Sequence, residues 1–425
     1  MVAAEISSWD LTKLLENIAT TTGWQIFVEP ETKHTVSTKF KNRAPGEALR
    51  LLLGDLSFAL LPQSNAPSRL FVFRTSLQEA TQRVHAPEKT ANAKAAKPIA
   101  NELIVTLKPG MKIDELARKL GAKVTGRAEG LNAYRLEFED ADAAAAAREQ
   151  LKTNDDVASV DSNYQISRPE NPEALTYSSS APFSLKPKAI GDANRIIVGL
   201  IDTAFQAKGS GLEDFLLPSI SVAGDAKTSD TQPTHGTSMA ETVLRGLAMG
   251  FESTDGSRVR ILPVDVYGNN PTSSTFDVAL GIYKAINAGA TIINLSLGSE
   301  GESSFLKQVI RSGHDQGVLF FAAAGNTPVR TSTFPAAYPE VIAVTAGDRR
   351  GNIASYANYG DFVDVMMPGS AVVNFKGQSW LVMGTSASTA YASGMAAGMV
   401  DQTGKSLSQI EAAIRSNFAF TTKKN

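Results

Sequence analysis

Four residues of the 425-residue chain have the chemistry to attack, deprotonate, orient and stabilise an acyl group. Ser386 lies in "MGTSAST", residues 383–389. A serine hydroxyl is a weak nucleophile until a base accepts its proton, and the base needs an acid to hold its tautomer. The same run of small residues also reads as a tight turn with a helix-start hydroxyl. His235 lies in "PTHGTSMAETVLRG", where the glycine and the helical pattern after it place the imidazole at a helix start; there it can simply bond locally. Asp202 closes "RIIVGLID", a position where a capping carboxylate is common. Asn326 closes "AAAGN" and brings a carboxamide that, with a backbone N–H, can hold a developing oxyanion. Taken singly, each has a bland structural explanation. In chain order Asp, His, Asn, Ser, each at an element end, the combination is less easily dismissed as structural than any one of them.

The elements that must position them follow from apolar patterning. "RIIVGLID" and "RVRILPVDVY" are continuous apolar runs, followed by a helix in "FDVALGIYKAINAGA", a strand in "TIINLSLG" and a helix in "SSFLKQVIRSGHDQG". Strands follow in "VLFFAAAGN" and "VIAVTAG". Apolar strands alternating with helices predict an α/β unit, a mostly parallel sheet covered on both faces. Chemistry then gathers outside the carboxyl ends of the strands, where Asp202, the loop after Leu297 and Asn326 fall. The repeated small residues of "GTSASTAYASGMAAGMV" suit a helix packed tightly on that sheet.

Two smaller units precede it. Residues 1–76 read as a small α+β module, with an amphipathic helix carrying Leu11, Leu14, Leu15 and Ile18 and a second helix in "PGEALRLLLGD". Residues 77–100 read as a polar linker. Residues 101–166 fit β-α-β-β-α-β if Lys123–Gly126 is a short strand, a split arrangement of ferredoxin-like type. Residues 167–192, rich in Pro and Ser, read as a second linker. A length of 425 residues agrees with two or three domains. The net charge of −2 gives no electrostatic case for nucleic acid, and no apolar run is long enough for a membrane span. Cysteine is absent, which removes disulfides and thiol catalysis; the histidines are His34, His85, His235 and His314.

Residues 190–415 resemble the subtilisin-like serine proteases, a family whose catalytic groups run in the chain order Asp, His, Ser. "LIDTAF", "HGTSMA", "INLSLG", "AAAGN" and "GTSAST" carry the likeness, supported by "YPEVIAVTA" and "ASYANYGDFVDVMMPG". The resemblance implies a three-layer subtilisin-like domain over 193–420 and a serine endopeptidase with Asp202, His235, Asn326 and Ser386 as its catalytic set. It also implies an S1 pocket walled by Ser296, Leu297 and Gly298 and by Ala323, Ala324 and Gly325, with an edge at Ser273 that pairs with an extended peptide. The small, apolar walls predict an apolar or small P1 residue. Where the family usually has Gly, His and Pro this chain has Ala204, Ser238 and Ala390, so a weak or inactive peptide-binding relative is the alternative. An esterase of the α/β-hydrolase class is disfavoured, because its triad runs Ser, acid, His.

Residues 101–166 resemble the inhibitory propeptide of these proteases, which implies a zymogen whose own propeptide docks on two surface helices and lays its tail through the cleft. The tail, "SRPENPEALTYSSS", would hold the processing site. Residues 1–76 resemble, in "LTKLLENIATTTGWQIFVEP" and "KNRAPGEALRLLLGDLSFALL", the short N-terminal module of secretins and TonB-dependent receptors, which implies a protein partner there. That likeness favours an exported, periplasmic or extracellular protein, although the opening "MVAAEISSWD" lacks the regions of a signal peptide. No cofactor is expected for catalysis. A structural calcium ion would fit the family, but no loop has its ligand spacing, and the acidic residues near 225–230 assign none.

Overall fold

The computed structural model describes residues 2–62, 67–84, 98–175, 185–189, 191, 195–251, 256–348 and 350–420. His85 lies outside the described residues, as do 85–97 of the first expected linker and 176–184, 190 and 192 of the second.

The first module runs β1 (Val2–Asp10), α1 (Leu11–Thr22), β2 (Gln25–Val28), β3 (Thr35–Arg43), α2 (Pro45–Leu53), β4 (Ser57–Leu61), β5 (Arg69–Phe73) and β6 (Gln82–Val84). Asp10 caps α1 by accepting from Lys13 N–H, and Gly23 ends it in the left-handed region, φ 71°. The 3–4 spacing of Leu11, Leu14, Leu15 and Ala19 buries one face of that helix. β1 and β3 form an antiparallel ribbon beside a sheet of order β4-β5-β2-β6. Here the structure departs from the expected linker. Residues 77–79 form a 3-10 turn, and β6 pairs with β2, so the module continues to Val84. Polar residues at an edge strand leave no apolar signature.

The second module runs β7 (Pro98–Leu107), α3 (Ile113–Lys119), β8 (Lys123–Ala128), β9 (Ala133–Glu137), α4 (Ala141–Lys152) and β10 (Val157–Ser167). Its antiparallel strands lie in the order β10-β7-β9-β8, with both helices packed over a core that includes Val105, Leu136, Ala147 and Leu151. β11 (Glu173–Ala174) lies inside the expected second linker, a further departure.

The large α/β unit contains β12 (Ile196–Asp202), β13 (Ile220–Ser221), α5 (His235–Met249), β14 (Val259–Asp265), β15 (Thr272–Ser274), α6 (Thr275–Asn287) and β16 (Ile292–Leu295). It continues through α7 (Ser304–Asp315), β17 (Leu319–Ala323), β18 (Val341–Gly347) and β19 (Val365–Pro368). The hairpin β20 (Ser370–Phe375) and β21 (Gln378–Met383) then leads to α8 (Thr385–Thr403) and α9 (Leu407–Asn417). Seven strands form a parallel sheet of order β13-β14-β12-β16-β17-β18-β19, sandwiched between two buried apolar clusters. α5 and α8 touch backbone to backbone. A Cβ on Gly394 would stand 1.9 Å from the carbonyl oxygen of Val243, and one on Gly246 would stand 2.3 Å from that of Tyr391. Those glycines let α8 bury every residue from Thr385 to Gly398, which holds its first turn rigidly. No helix among the described residues is long and apolar enough to cross a membrane.

Candidate active site

β12 ends at Asp202 and α5 begins at His235, and the two side chains meet in the interior, 1% and 4% exposed. His235 Nδ1 lies 2.8 and 2.9 Å from the two Asp202 oxygens, and Thr203 N–H donates to Asp202 Oδ1 at 2.7 Å. With Nδ1 committed to the carboxylate, Nε2 is the nitrogen left to exchange a proton. The approach of α5 to the Asp loop is backbone-close. Gly236 N–H donates to Thr203 Oγ1, and a Cβ on Gly236 would stand 2.3 Å from the Thr203 carbonyl oxygen. Thr234, the N-cap of α5, also donates to the carbonyl of Ala204 at 2.6 Å. Thus the turn with the unusual alanine is still tied to the histidine helix. Ser238, another departure, is buried and donates to the Thr234 carbonyl.

Ser386 stands in the first turn of α8 and is 8% exposed. Its hydroxyl donates to the carbonyl of Ser296 at 3.1 Å, while Ser296 Oγ donates back to the Ser386 carbonyl at 3.0 Å. The hydroxyl therefore rests on the loop after β16, with His235 lining the same cleft of about 770 Å³. Asn294 and Ser393, which sequence reading missed, brace this link: Asn294 Nδ2 donates to Ser296 Oγ, and Ser393 Oγ donates to Asn294 Oδ1. A strand-end Asn and a helix Ser one face along have no local mark of that pairing.

Asn326 follows β17. Its Oδ1 accepts from Thr385 N–H at 2.9 Å and from Thr385 Oγ1 at 3.1 Å. An N–H can only donate, so this pair fixes the carboxamide and leaves Nδ2 as its donor in the cleft. Asn358, also missed, supports the loop: its N–H donates to the Gly325 carbonyl, and its Oδ1 accepts from Thr327 N–H. Of the expected walls, Ser296, Leu297, Gly298, Ala323 and Gly325 line the cleft. Ala324 is fully buried and spends its N–H on the Val344 carbonyl, so it does not line that cleft. Ser273 sits on β15 with its hydroxyl bonded to the Val266 carbonyl, so only its backbone faces a partner strand.

That partner strand is the chain's own. β10 pairs antiparallel with β15, Ile166 opposite Ser273, and Arg168 N–H continues to the Pro271 carbonyl. The second module also caps two helices of the α/β unit. Asn163 Oδ1 accepts from Phe276 N–H at the start of α6, and Asp161 Oδ2 accepts from Phe305 N–H and Ser303 Oγ at the start of α7. Arg135 joins Asp277 at 2.9 Å. Beyond Arg168 the tail follows the cleft. Asn171 Oδ1 accepts from His235 N–H at 3.2 Å, and Glu173 pairs with Leu381 on β21.

The first module supplies an unforeseen wall. Gln25, Phe27, Arg69 and Arg83 line the same cleft as His235 and Ser386. Phe27, Leu61, Phe71 and Ala80 pack against Leu175, Val372 and Leu381. Arg350 reaches Glu31 at 3.2 Å and Glu29 at 3.6 Å. Burial pushes the Glu29 carboxyl up, yet N–H bonds from Thr75 and Arg74, the Thr75 hydroxyl and the Arg74 charge outweigh it and hold it below its ordinary value. Near the Asp202–His235 pair the balance runs the other way. Burial raises Asp265, beside Asp202, against N–H bonds from Tyr267 and Gly268. No group of three or more His, Asp or Glu among the described residues can hold a metal ion, so no calcium site is assigned.

Comparison with known proteins agrees with this geometry. The model of the subtilase family matches residues 193–420, and that of the fervidolysin N-terminal prodomain matches residues 85–163; neither reaches residues 2–84. Thermitase of Thermoactinomyces vulgaris is 31% identical over 229 residues, 53% of this chain and 81% of that protein. M-protease of Shouchella clausii is 27% identical over 332 residues, 67% and 84% of the two chains. The fold is shared with the epidermin leader peptide processing serine protease of Staphylococcus aureus, at TM-score 0.57 and 16% identity over 76% of this chain and 94% of that one. It is shared also with fervidolysin of Fervidobacterium pennivorans, at TM-score 0.54 and 18% identity over 73% and 56%. A subtilase model covering more than half of the chain, on a parallel sheet with an Asp–His pair and a serine at its carboxyl edge, places the protein in the subtilase family, as a serine endopeptidase made with an N-terminal propeptide-like domain.

Proposed function

We propose that Ser386 is the nucleophile of this endopeptidase, His235 its general base, Asp202 the acid that orients the imidazole and Asn326 the side-chain donor to the oxyanion. The observation that carries the reading is the bifurcated bond between His235 Nδ1 and the buried Asp202 carboxylate, which leaves Nε2 for the serine proton. On binding, substrate displaces the Ser386 hydroxyl from the Ser296 carbonyl, and His235 takes the proton as Oγ attacks the scissile carbonyl. Charge on the carbonyl oxygen then falls between Asn326 Nδ2 and the Ser386 N–H, which has no helical acceptor because it lies in the first turn. His235 returns the proton to the leaving amine, and water hydrolyses the acyl-enzyme by the same steps. Small walls at Gly298, Ala323 and Gly325 favour an apolar or small P1 side chain.

Residues 98–167 act, in this reading, as a ferredoxin-like propeptide inhibitor: the strand order β10-β7-β9-β8, the two helix caps and the ladder on β15 support it. Residues 195–420 are the peptidase domain, and residues 2–84 form a separate N-terminal module. The partner-recruiting role implied by the secretin-like segments of residues 1–76 has the weaker support, since one face of that module is already spent on the peptidase domain. The same likeness favours an exported protein.

A fluorophosphonate probe with peptide mapping tests the assignment. Ser386 should carry the adduct, and Ser386→Ala should lose labelling, peptide hydrolysis and any self-cleavage between residues 163 and 192. Self-cleavage that persists in purified Ser386→Ala would end it.

A further inference from the structure

We infer that the N-terminal module forms part of the substrate cleft, with Arg69 as a subsite for an acidic side chain on the leaving-group side of the scissile bond. This rests on the assignment of Ser386 and His235 as the reacting pair. The direction of the cleft follows from the tail that occupies it. The tail leaves the β15 edge at Ser167, passes His235 at Asn171 and joins β21 at Glu173. A substrate strand laid on β15 in the same sense sends its leaving-group residues towards β21. Arg69 stands there, at the start of β5, and lines the same cleft as Ser386.

Arg69 already holds two carboxylates of the tail. Its Nη1 is 2.5 Å from Glu173 Oε1, and its Nη2 is 3.3 Å from Glu170 Oε2. The two pairs differ in worth. Glu170 is 85% exposed, and water screens such a pair. Arg69 and Glu173 are 20% and 17% exposed, so their attraction is less screened. The guanidinium is pre-set, because its Nε donates to Gln25 Oε1 at 3.2 Å. Phe27, Tyr356 and Met383 line the cleft beside it and give the guanidinium an apolar floor. Glu173 thus occupies the subsite as a substrate's acidic residue would, and the tail is a pseudosubstrate on both sides of the reacting residues.

The test uses the full chain after self-processing and two quenched peptides that differ only in Glu or Lys at the second and third residues after the cut. The wild type should favour the Glu peptide about tenfold in kcat/KM. Arg69→Glu should reverse that preference, while a peptide ending before those positions should be cut equally by both. A ratio near one in the wild type, or a ratio unchanged in Arg69→Glu, overturns the subsite. Loss of all hydrolysis and of probe labelling in the wild type would instead count against Ser386 and His235. The subsite is then read without turnover, by hydrogen–deuterium exchange at residues 170–175 in Ser386→Ala. Adding Arg69→Glu should speed exchange about tenfold, and adding Glu173→Arg to that variant should slow it again. Exchange indifferent to Arg69→Glu, or not slowed by the swap, overturns it.

Discussion

The two front modules grip the peptidase domain differently, and the second alone adds a strand ladder on β15. The second module combines a backbone ladder from β10 to β15 with side-chain caps on the N-termini of α6 and α7 and with Ile104, Ala128, Ala133 and Ile166 in the apolar cluster around Phe276. The first uses side chains: an apolar cluster around Phe27, Phe71 and Leu381, with Arg350 reaching Glu29 and Glu31. Ladder bonds at a sheet edge fit any extended peptide, so a substrate can replace what the second module places there. A cluster of interlocking rings fits one partner and resists exchange. One contact therefore suits a displaceable inhibitor and the other a lasting wall of the cleft.

Phe71→Ala separates the two grips most widely. Phe71 is fully buried and stacks on Phe27 at 5.1 Å, so its loss should cost about 3–5 kcal/mol. Calorimetry should show the first module melting earlier, while the transition of residues 98–167 with the peptidase domain stays in place. A common shift of both transitions would mean that the two grips are one cooperative unit. Asn326→Ala should touch neither grip yet lower kcat by about 10²–10³-fold, the scale of removing one oxyanion donor in a subtilase, with little change in KM. A loss confined to KM would make Asn326 a ground-state contact.

Asp161→Ala probes the second module's grip. Removing the cap of α7 should cost about 1–2 kcal/mol, which is about tenfold weaker inhibition when residues 98–175 are added in trans to processed enzyme. Inhibition unchanged by this variant would mean that the ladder alone holds the module. The smallest effect concerns pH. Glu29 has a folded pKa below its ordinary value of 4.5, so its contribution is present above that value and is lost as pH falls through the depressed one. The first module should therefore loosen as pH falls below that ordinary value, and Glu29→Gln should flatten that dependence in proteolysis of residues 2–84.

Much of the peptidase core was legible in advance. The apolar runs ending at Asp202 and Leu295 became neighbours in one parallel sheet, and Lys123 did begin a strand of the second module. Burial on both faces demands continuous apolar sequence, and such runs announce themselves. The polar pieces were less visible. β6 and β11 owe their strand geometry to partners far along the chain, Phe27 and Leu381 among them, and nothing in their own composition requires it.

Asp202, His235, Asn326 and Ser386, the proposed acyl-transfer set, are legible from local sequence, because each sits at the end of a patterned element and carries a group that such chemistry uses. It took the packed chain to turn Ala324 away from the cleft, to rest Ser386 on the Ser296 carbonyl, and to bring Arg69, more than 300 residues before the serine, into the same cleft. Hydrogen bonds and ion pairs across such separations depend on how whole modules pack, and no spacing within either segment records that packing.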